Sequence, residues 1–354
     1  MTPSALRARY RRIVTFFATV IAQFIWWELV LPKVGLAAWV DRTRPRRNRR
    51  LAVRFRGLAI SMGGLMIKVG QFLSARLDVL PAEITDELAG LQDEVPAASF
   101  EAIRAQAEAD IGRPLARTFA SFEEVPLAAA SLGQVHRAEL FAQDAAETGF
   151  ASVVVKVQRP AIDTIVDVDL AALRRVGRWL TRYKPVSSRA DVPALVEEFA
   201  TTTLQEIDYL AEAGNAEHFR EVFETDARVR VPQVAWEHTT RRVLTLEDVS
   251  AIRLGDYDAI TAAGIDRAAV AKKLVETYLQ QIFEDGVFHA DPHPGNLFVT
   301  PVGTGGGFEL TFIDFGMVGR VPDNLRSGLS EALIAIGTQD AARPNRCQAD
   351  PVRR

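Results

Sequence analysis

VFHADPHPGNLFVTPVGTGGGFELTFIDFG, residues Val287–Gly316, is the stretch that decides how this chain is interpreted. Asp291 and Asn296 lie five residues apart in a loop that two prolines stiffen, and Asp314 follows the apolar run Leu310–Ile313, which predicts a strand. Phosphoryl transfer requires Mg²⁺ held against the phosphates and a side chain that orients the attacking oxygen. An Asp-x₄-Asn loop followed by Asp-Phe-Gly supplies both. The stretch therefore predicts a phosphoryl-transfer site.

Two other interpretations of this stretch stay open on these residues alone. Clusters of Pro, Gly, Asp and Asn also mark ordinary turns. His289, Asp291 and His293 alternate, and alternating residues of a strand share one face and could ligate zinc. Pro292 and Pro294 disfavour a regular strand, and the five histidines form no other His/Cys cluster that would complete a zinc site. We therefore favour phosphoryl transfer over a zinc centre.

The composition is that of a globular protein with a large core. The 354 residues are enough for two domains or for one domain with an extension, and 48% are hydrophobic and 25% charged. The single cysteine, Cys347, allows no internal disulfide and indicates a reducing compartment. The net charge of −3 conceals an asymmetry, because residues 1–56 carry 13 Lys or Arg and only two acids. A basic end on an acidic body predicts an anionic partner for that end.

The basic end also contains a long apolar stretch. Ile13–Leu31 is 19 residues long, which is near spanning length, and Trp26, Trp27 and Trp39 favour the headgroup level. Eight arginines follow across Arg42–Arg56 with no acid among them. Apolar surface and a polybasic patch are the two signals that stable peripheral binding needs. We expect an interfacial helix on an anionic membrane surface. A true membrane span is the second choice, and a core-packed helix beside solvated arginines is the remaining alternative. Without a basic–aromatic RNA motif, we expect no nucleic-acid partner.

A helix is predicted over residues 51–79, which include the segment IKVGQF. Lys68 and Gln71 are three residues apart and share a face. Gly70 between them costs about 1 kcal/mol of helix stability relative to Ala, and its missing side chain lets another backbone come close. On these residues alone, an ordinary amphipathic helix with a snorkelling lysine is favoured.

The chain changes character after Leu115. Pro126–Leu140 predicts a turn of small residues followed by the strand Gln134–Leu140, and Ala151–Pro160 predicts a second strand that carries Lys156. Two strands joined across a small-residue loop, with a lysine on the later strand, match a kinase-type hairpin that covers phosphates. A lysine in a valine-rich strand needs a partner, because burying an unpaired charge is costly. The alternative is an edge strand whose lysine lies in water.

Two long helices are predicted next, over Ile162–Tyr183 and from Asp191 as N-cap to about Phe223. The second carries Glu206, Asp208 and Glu212. Asp208 and Glu212 are four residues apart and therefore neighbours on one face. Such carboxylates are usually solvated, but a buried strand lysine that needs a carboxylate favours pairing.

The segment after these helices predicts a linker between two lobes. Val229–Trp236 and Arg242–Leu246 predict strands, and Glu247-Asp248-Val249 follows the second. Ala269–Asp285 predicts an amphipathic helix that leads into Val287–Gly316.

The order of these parts resembles the UbiB/AarF family of atypical protein-kinase-like proteins, which is tied to ubiquinone biosynthesis and isoprenoid-lipid homeostasis. The similarity covers roughly residues 50–335, and its motifs are specific because several occur together in order. In chain order the matches are the KxGQ motif Lys68-Val69-Gly70-Gln71, the alanine-rich loop Ala128-Ala129-Ala130-Ser131-Leu132-Gly133-Gln134, the strand lysine Lys156, the ExD motif Glu206-Ile207-Asp208, the helix glutamate Glu212, the catalytic loop Asp291–Asn296 and Asp314-Phe315-Gly316.

The resemblance implies an α+β, protein-kinase-like two-lobe fold with an N-terminal helical extension, using ATP and Mg²⁺. Lys156 is expected to contact the α/β-phosphates and to pair with Glu212. Asn296 and Asp314 are expected to hold Mg²⁺. Asp291 is expected to orient or deprotonate an acceptor hydroxyl or water.

The resemblance also implies nucleotide contacts and a regulatory element. The expected nucleotide-binding residues are Ala128, Ala129, Ala130, Ser131, Gly133, Gln134, Lys156, Glu247 and Val249. In the family, the KxGQ helix lies over the nucleotide site and its lysine meets the ExD carboxylates. Lys68, Gly70, Gln71, Glu206 and Asp208 are therefore expected to occupy the place where ordinary kinases bind a protein substrate.

The end of the chain departs from the family pattern. Only 38 residues follow Gly316, where members continue with a helical second lobe. A helix is predicted over Asp323–Gly337, and the tail Asp340–Arg354 loses apolar periodicity. We expect a basic, apolar membrane-associating segment (1–50), a helical KxGQ extension (51–114), a kinase-like N-lobe with a helical insert (115–248) and a partial, incomplete C-lobe (249–354).

The leading hypothesis is an ATP- and Mg²⁺-dependent atypical kinase or ATPase at the cytoplasmic face of a membrane. Its expected partners are an anionic membrane surface and prenyl-lipid or quinone-biosynthesis proteins. A second hypothesis is a catalytically silent ATP-binding scaffold for lipid or biosynthetic enzymes. A third is a small-molecule phosphotransferase of the antibiotic-kinase type, which the KxGQ and ExD segments disfavour.

Overall fold

A computed structural model describes residues 2–74, 76, 80–92, 96–182, 191–249, 251–303 and 305–337. The chain divides into two compact units. The first unit comprises Met1–Glu147 and Val154–Ile207, and the second comprises Thr148–Val153 and Asp208–Arg354. The predicted tail Asp340–Arg354, with Cys347, lies outside the described residues.

Helices dominate the described part of the first unit. They are α1 (Pro3–Ile25), α2 (Ala37–Met62), α3 (Leu65–Ser74), α4 (Ala82–Ala89), α5 (Phe100–Ile111), α6 (Leu115–Thr118), α7 (Ala142–Thr148, at the boundary), α8 (Ile162–Leu180) and α9 (Val192–Glu206). α5 has caps of the residue types that helix ends favour, because Ser99 accepts a hydrogen bond from the Ala102 N–H and Gly112 ends the helix at φ 81°. The predicted domain boundary after residue 50 falls inside the continuous helix α2.

The apolar N-terminal stretch forms α1, a π-helical turn (Trp26–Val30) and a 3₁₀ turn (Leu31–Val34), and Gly35 at φ 85° reverses the chain into α2. Ile13 in α1 is fully buried in a core that includes residues of α2, α3 and α8. Among the described residues, one helical stretch, Pro3–Val34, is long and apolar enough to cross a membrane. The mean hydropathy of its most apolar 18-residue window is 1.8, and 6% of that window is buried.

A buried ion pair fastens α1 within the first unit. Arg9 Nε donates to Asp169 Oδ1 of α8 at 2.6 Å, and its terminal nitrogens donate to the carbonyls of Met62 (2.7 Å) and Gly63 (3.2 Å). Burial raises the pKa of Asp169, while the Arg9 guanidinium opposes that rise. Arg9 therefore joins α1, α8 and the end of α2.

Two predicted helices are each broken in the structure. The helix predicted over residues 51–79 is wrong at Gly63 and Gly64, whose φ angles of 61° and 57° separate α2 from α3. The helix predicted from Asp191 to Phe223 is wrong at Ile207 and Asp208. Asp208 instead caps a new helix by accepting the Ala211 N–H at 3.2 Å. Short carboxylate side chains compete with helix continuation in this way.

The sheet of the first unit contains β1 (Ser121–Phe122), β2 (Ala128–Ala129), β3 (Gly133–Glu139) and β4 (Ser152–Gln158, whose first two residues belong to the second unit). β1 and β2 both pair antiparallel with β3, and β4 lies on its other side. Val153, Val155 and Val157 of β4 are fully buried, and the residues between them are less so. This alternation is the period of two that a strand requires.

The described part of the second unit surrounds a four-stranded sheet in the order β5 (Val229–Arg230), β10 (Gly307–Phe312), β9 (Leu297–Val302) and β7 (Ile252–Arg253). A two-stranded sheet pairs β8 (Val287–His289) with β11 (Val318–Arg320). The remaining elements are β6 (Val243–Glu247), α10 (Tyr209–Val222), α11 (Tyr257–Ala262), α12 (Arg267–Gln280) and α13 (Asp323–Gly337).

The strand predicted over Val229–Trp236 is interrupted rather than continuous, because β5 covers its start and Val234 forms an isolated antiparallel bridge with Leu246. β5 ends at Arg230, and a 3₁₀ turn occupies Trp236–His238. Pro232 lies in the interval and has no N–H to contribute to a ladder.

Candidate functional site

The loop after β8 is braced by its own side chains. Asn296 Nδ2 donates to Asp291 Oδ2 at 2.8 Å, and the Asn296 N–H donates to the His293 carbonyl at 2.9 Å. His293 Nδ1 accepts the Gly295 N–H at 3.1 Å. Because the Asn296 nitrogen is turned toward Asp291, its amide oxygen lies on the opposite side. The loop thus presents one carboxylate and one amide oxygen, both of which suit a hard cation.

The β9–β10 hairpin brings together the two motifs of Val287–Gly316, which are the loop Asp291–Asn296 and the segment Asp314-Phe315-Gly316. Leu297 pairs with Phe312 in the antiparallel register, and the Ile313 N–H donates to the Asn296 carbonyl at 3.1 Å. Asn296 therefore lies opposite Ile313, one residue before Asp314. Asp314 Oδ1 accepts the Gly316 N–H at 3.0 Å. A strand register, rather than sequence proximity, places Asn296 and Asp314 at the same end of the hairpin.

His289 is fully buried and supports this end of the hairpin. Its Nε2 donates to the Asp314 carbonyl, and its backbone N–H donates to Gln281 Oε1 at 2.9 Å. The Tyr278 hydroxyl lies 3.5 Å from its Nδ1. Burial lowers the pKa of His289, which favours the neutral ring. Within the described ranges, no three His, Cys, Asp or Glu side chains form a metal-binding group, so the zinc interpretation gains no support.

The segment after Asp314 is held from α10. Phe315 is fully buried, and its ring centroid lies 5.3 Å from that of Phe219 and 5.6 Å from the His289 ring. Asn215 Nδ2 donates to the Phe315 carbonyl at 3.0 Å. Glu212 lies one turn before Asn215 on the same helix and is 2% exposed. Sequence reasoning missed Asn215, whose only signal is a polar residue on the buried face of a helix.

The predicted linker residues follow β6. The Glu247 N–H donates to the Gln233 carbonyl and the Asp248 N–H donates to the Ser152 carbonyl, both at 2.9 Å. The Glu247 carboxylate forms an ion pair with Arg230. A nucleotide contact from Glu247 would therefore come from its backbone rather than from its side chain.

In the first unit, the alanine-rich loop is a closed turn. Ala128 pairs with Val135 and Ala129 with Gln134, and the Ala130 N–H donates to the Gly133 carbonyl at 2.9 Å. Arg159 fastens the turn, because its Nε donates to the Ala130 carbonyl at 2.9 Å and its N–H to the Leu132 carbonyl at 2.9 Å.

Two of the predicted nucleotide-binding side chains in this loop are turned inward. Ser131 is 6% exposed and Gln134 is fully buried. Gln134 Oε1 accepts the Ala98 N–H at 2.9 Å, and its Nε2 donates to His136 Nε2 at 3.0 Å. A nucleotide contact from Gln134 would therefore involve its backbone. Lys156, by contrast, lies on the half-buried face of β4.

The KxGQ helix α3 is joined to the end of α9. Lys68 Nζ forms an ion pair with Glu206, and both side chains are largely buried. Gln71 Nε2 donates to the Leu91 carbonyl at 3.3 Å. A Cβ at Gly70 would lie 2.2 Å from Leu91 Cδ1, so the prediction that Gly70 admits another backbone is wrong. Gly70 instead makes room for side chains.

The predicted site residues are shared between the two units. The first unit carries Lys68, Gly70, Gln71, Ala128, Ala129, Ala130, Ser131, Gly133, Gln134, Lys156 and Glu206, and the second carries Asp208, Glu212, Glu247, Val249, Asp291, Asn296 and Asp314. Two pairs of these side chains are in direct contact in the part of the chain that the structure describes, Lys68 with Glu206 and Asp291 with Asn296.

Known proteins are similar to this chain over most of its length. A family model described as an ABC1 atypical kinase-like domain matches residues 90–347. An uncharacterized Synechocystis protein is 41% identical over 273 residues, which cover 77% of this chain and 45% of that protein. Activity of BC1 complex kinase 8, a chloroplast protein of Arabidopsis thaliana, is 42% identical over 76% of this chain and 34% of its own length. The probable protein kinase UbiB of Aeromonas hydrophila is 37% identical over 77% and 49%. The chain thus spans half or less of these relatives.

One solved structure shows the same fold. Rv3197 of Mycobacterium tuberculosis, solved in complex with erythromycin, superposes with a TM-score of 0.55 at 24% identity, over 91% of this chain and 78% of that one. Together with the family model, this likeness confirms the predicted kinase-like α+β fold.

Proposed function

The chain belongs to the ABC1 atypical kinase-like family, as its UbiB-like motifs predicted, and from this premise we propose that it is an ATP- and Mg²⁺-dependent atypical kinase or ATPase. We propose that it supports isoprenoid quinone biosynthesis or lipid homeostasis. The observation that carries the proposal is the β9–β10 register, which aligns Asn296 with the residue before Asp314 while Asp291 holds the Asn296 amide.

The donor set fits Mg²⁺. The Asn296 amide oxygen and the Asp314 carboxylate are hard oxygen ligands, and Mg²⁺ is commonly bound by one or two such groups plus waters and phosphate oxygens. When bound, the ion would neutralise charge on the phosphates. Asp291 would accept a hydrogen bond from the attacking hydroxyl or water and orient it. Lys156 would contact the α/β-phosphates, and Glu212 would be its counter-ion.

The acceptor is proposed to be a small molecule or water rather than a generic protein. Lys68 is held by Glu206 and lies on a helix that Gly70 packs tightly against Leu91. An ion pair that is largely buried resists displacement, because separating it leaves an uncompensated charge. We propose that this arrangement occupies the place where ordinary kinases bind protein substrates.

The test is Mg²⁺-dependent ATP binding and hydrolysis by the purified protein, with Asp314→Ala alongside. We expect turnover that requires Mg²⁺ and is lost in Asp314→Ala. Metal-dependent binding without turnover would favour the ATP-binding scaffold. No binding at any Mg²⁺ concentration would contradict the proposal. Efficient phosphorylation of generic proteins, unchanged in Lys68→Ala, would contradict the proposed acceptor.

We also propose that the first unit lies on an anionic membrane surface. Around the turn between α1 and α2, the apolar residues Phe24, Trp26, Val34, Leu36 and Trp39 are exposed. On α2, Arg46, Arg49, Arg50 and Arg54 line an open depression of about 590 Å³ together with Val53. Their spacing of three and four residues places these arginines on one face of α2. Exposed tryptophan beside a row of arginines suits a headgroup layer that contains phosphates.

Flotation with lipid vesicles tests the membrane proposal. We expect binding to phosphatidylcholine vesicles that contain phosphatidylglycerol, and weak binding to phosphatidylcholine alone. Combining Trp39→Ala with Arg50→Glu is expected to reduce binding. The matched controls are Trp236→Ala and Arg104→Glu, which change an exposed tryptophan and an exposed arginine elsewhere. Equal losses in both sets would contradict this docking surface.

A further inference from the structure

One peptide group connects α10 to the Asp314 carboxylate. Its carbonyl, that of Phe315, accepts from Asn215 Nδ2 at 3.0 Å. Its N–H, that of Gly316, donates to Asp314 Oδ1, also at 3.0 Å. A trans peptide group is planar, and its C=O and N–H point to opposite sides. The bond that fixes the direction of the carbonyl therefore also fixes the direction in which the N–H points.

We propose that Asn215 is a positioning residue for Asp314 and acts through the peptide group between Phe315 and Gly316. The inference rests on the proposed function, in which Asp314 is a Mg²⁺ ligand. Losing the Asn215 bond would let the peptide plane rotate. The Gly316 N–H would then leave Asp314 Oδ1, and the carboxylate would lose a donor that restrains its orientation.

The packing around Phe315 does not supply the same restraint. Phe219 and His289 surround the Phe315 ring, with centroids 5.3 Å and 5.6 Å away. Apolar contacts fix the ring but have no preferred direction for a peptide plane. A hydrogen bond weakens steeply when its angle departs from linear, so it does restrain the plane. The Asn215 amide is the directional contact at this carbonyl.

The preceding peptide group is held in the same manner from another element. His289 Nε2 donates to the Asp314 carbonyl. Two successive carbonyls are thus each held by one side chain, one from β8 and one from α10. His289 restrains the backbone on the N-terminal side of Phe315 and Asn215 restrains it on the C-terminal side. Both peptide groups next to Phe315 are thus held in plane, and the second of them carries the N–H that bonds Asp314 Oδ1.

The test compares Asn215→Leu, which keeps side-chain size but removes the donor, with the wild-type chain. The first readout is hydrogen exchange of the Gly316 amide in glycine-labelled protein, with the resonance identified from its loss in Gly316→Ala. The second is the free Mg²⁺ concentration that half-saturates ATP binding. We expect both exchange rate and half-saturating Mg²⁺ to rise roughly tenfold in Asn215→Leu, since hydrogen bonds to charged groups are worth about that factor.

Two further variants separate positioning from charge and from packing. Asn215→Asp keeps the shape but directs an acceptor at the Phe315 carbonyl. Positioning predicts a higher half-saturating Mg²⁺, whereas added negative charge alone predicts a lower one, and the lower value would overturn the proposal. Phe219→Leu weakens packing on Phe315 but keeps the Asn215 bond. If Phe219→Leu accelerates Gly316 exchange as much as Asn215→Leu does, the proposal is overturned.

The exchange readout keeps the two proposals distinguishable. If the wild-type chain binds no ATP at any Mg²⁺ concentration, the proposed function fails, and Gly316 exchange still decides whether Asn215 positions Asp314. Unchanged Gly316 exchange in Asn215→Leu, within about twofold, overturns the inference even where the wild-type chain binds ATP.

Discussion

Gly70 stands where a larger residue would collide with its neighbours. A Cβ there would lie 2.2 Å from Leu91 Cδ1 and 3.3 Å from Phe55 Cε1. Overpacking typically costs about 1–3 kcal/mol, so we expect Gly70→Ala to lower the free energy of unfolding despite the higher helix propensity of alanine. Gly57→Ala in α2 is the matched control, because its Cβ would meet nothing within 4 Å. The thermal unfolding midpoints of the wild-type chain and the two variants check this prediction. A Gly70→Ala midpoint at or above that of the wild-type chain would contradict it.

The buried ring of His289 is expected to make the second unit less stable as the pH falls. Burial lowers its folded pKa below the unfolded value of about 6.5, so the unfolded chain binds the proton first as pH falls. Its contribution is therefore present above about pH 6.5 and is lost as the pH falls below that value. Urea midpoints at about pH 7.5 and about pH 5.5 should differ more in the wild-type chain than in His289→Gln. Burial also lowers the pKa of His136, which both proteins retain. Only the difference in pH dependence between the wild-type chain and His289→Gln therefore reports on His289. Parallel changes in both proteins would refute the assignment.

The side chains of the candidate site could be picked out from the sequence, but the residues that support them could not. Asp291, Asn296 and Asp314 follow from spacing, because the chemistry of phosphoryl transfer restricts which side chains can serve. Asn215 bonds the carbonyl of Phe315, far along the chain, and Gln281 bonds the N–H of His289 in the next strand. Such a bond depends on where the tertiary structure brings a carbonyl or an N–H, and no local pattern encodes that.

Arg9 makes the attachment of α1 sensitive to a single charge. Asp169 is fully buried, and its guanidinium partner also bonds two carbonyls at the end of α2. Removing one partner of a buried pair costs about 3–5 kcal/mol, because the other charge is left uncompensated. We expect Arg9→Met to lower the free energy of unfolding by about 3 kcal/mol, measured by urea denaturation. Arg12→Met is the control, because Arg12 donates to the exposed Ser61 hydroxyl at 2.9 Å and has no part in the buried pair. Equal losses in the two variants would contradict the ion-pair explanation.

At the element scale, ends of helices were predicted better than interruptions within them. Asp191 caps its helix as predicted, and Ser99 and Gly112 cap α5 by the same local chemistry. The break at Ile207 and Asp208 was missed, since apolar periodicity continues across it and Asp208 is as consistent with a helix surface as with a cap. Its cap becomes evident only from the bond to the Ala211 N–H.

The charge asymmetry of the whole chain predicts how membrane binding responds to salt. Residues 1–56 carry 13 Lys or Arg and two acids, whereas the net charge of the chain is −3. Raising salt from about 0.1 M to about 1 M shortens the Debye length from about 10 Å to about 3 Å. We expect vesicle binding to fall steeply over this range. Weak residual binding, due to the exposed tryptophans, is expected to persist at high salt. Binding that is insensitive to salt would contradict an arginine-led attachment.

The order of motifs predicted the kinase-like fold, whereas the boundaries of the two compact units lie at positions that no motif marks. The predicted segment 115–248 straddles the boundary between Ile207 and Asp208. Compactness depends on contacts between residues far apart in the chain, whereas composition and spacing report on neighbours. The excursion of residues 148–153 into the second unit has no sequence signal.

That excursion has a practical consequence for dissecting the protein. Because β4 starts in the second unit at Ser152 and continues in the first from Val154, no single cut in the gene separates the two units. A fragment ending at Ile207 would carry six residues that belong with its missing neighbour, and a fragment starting at Asp208 would lack them. Anyone wishing to study one half in isolation would do better to rejoin the chain in a new order, or to co-express overlapping fragments, than to clone either half as it stands.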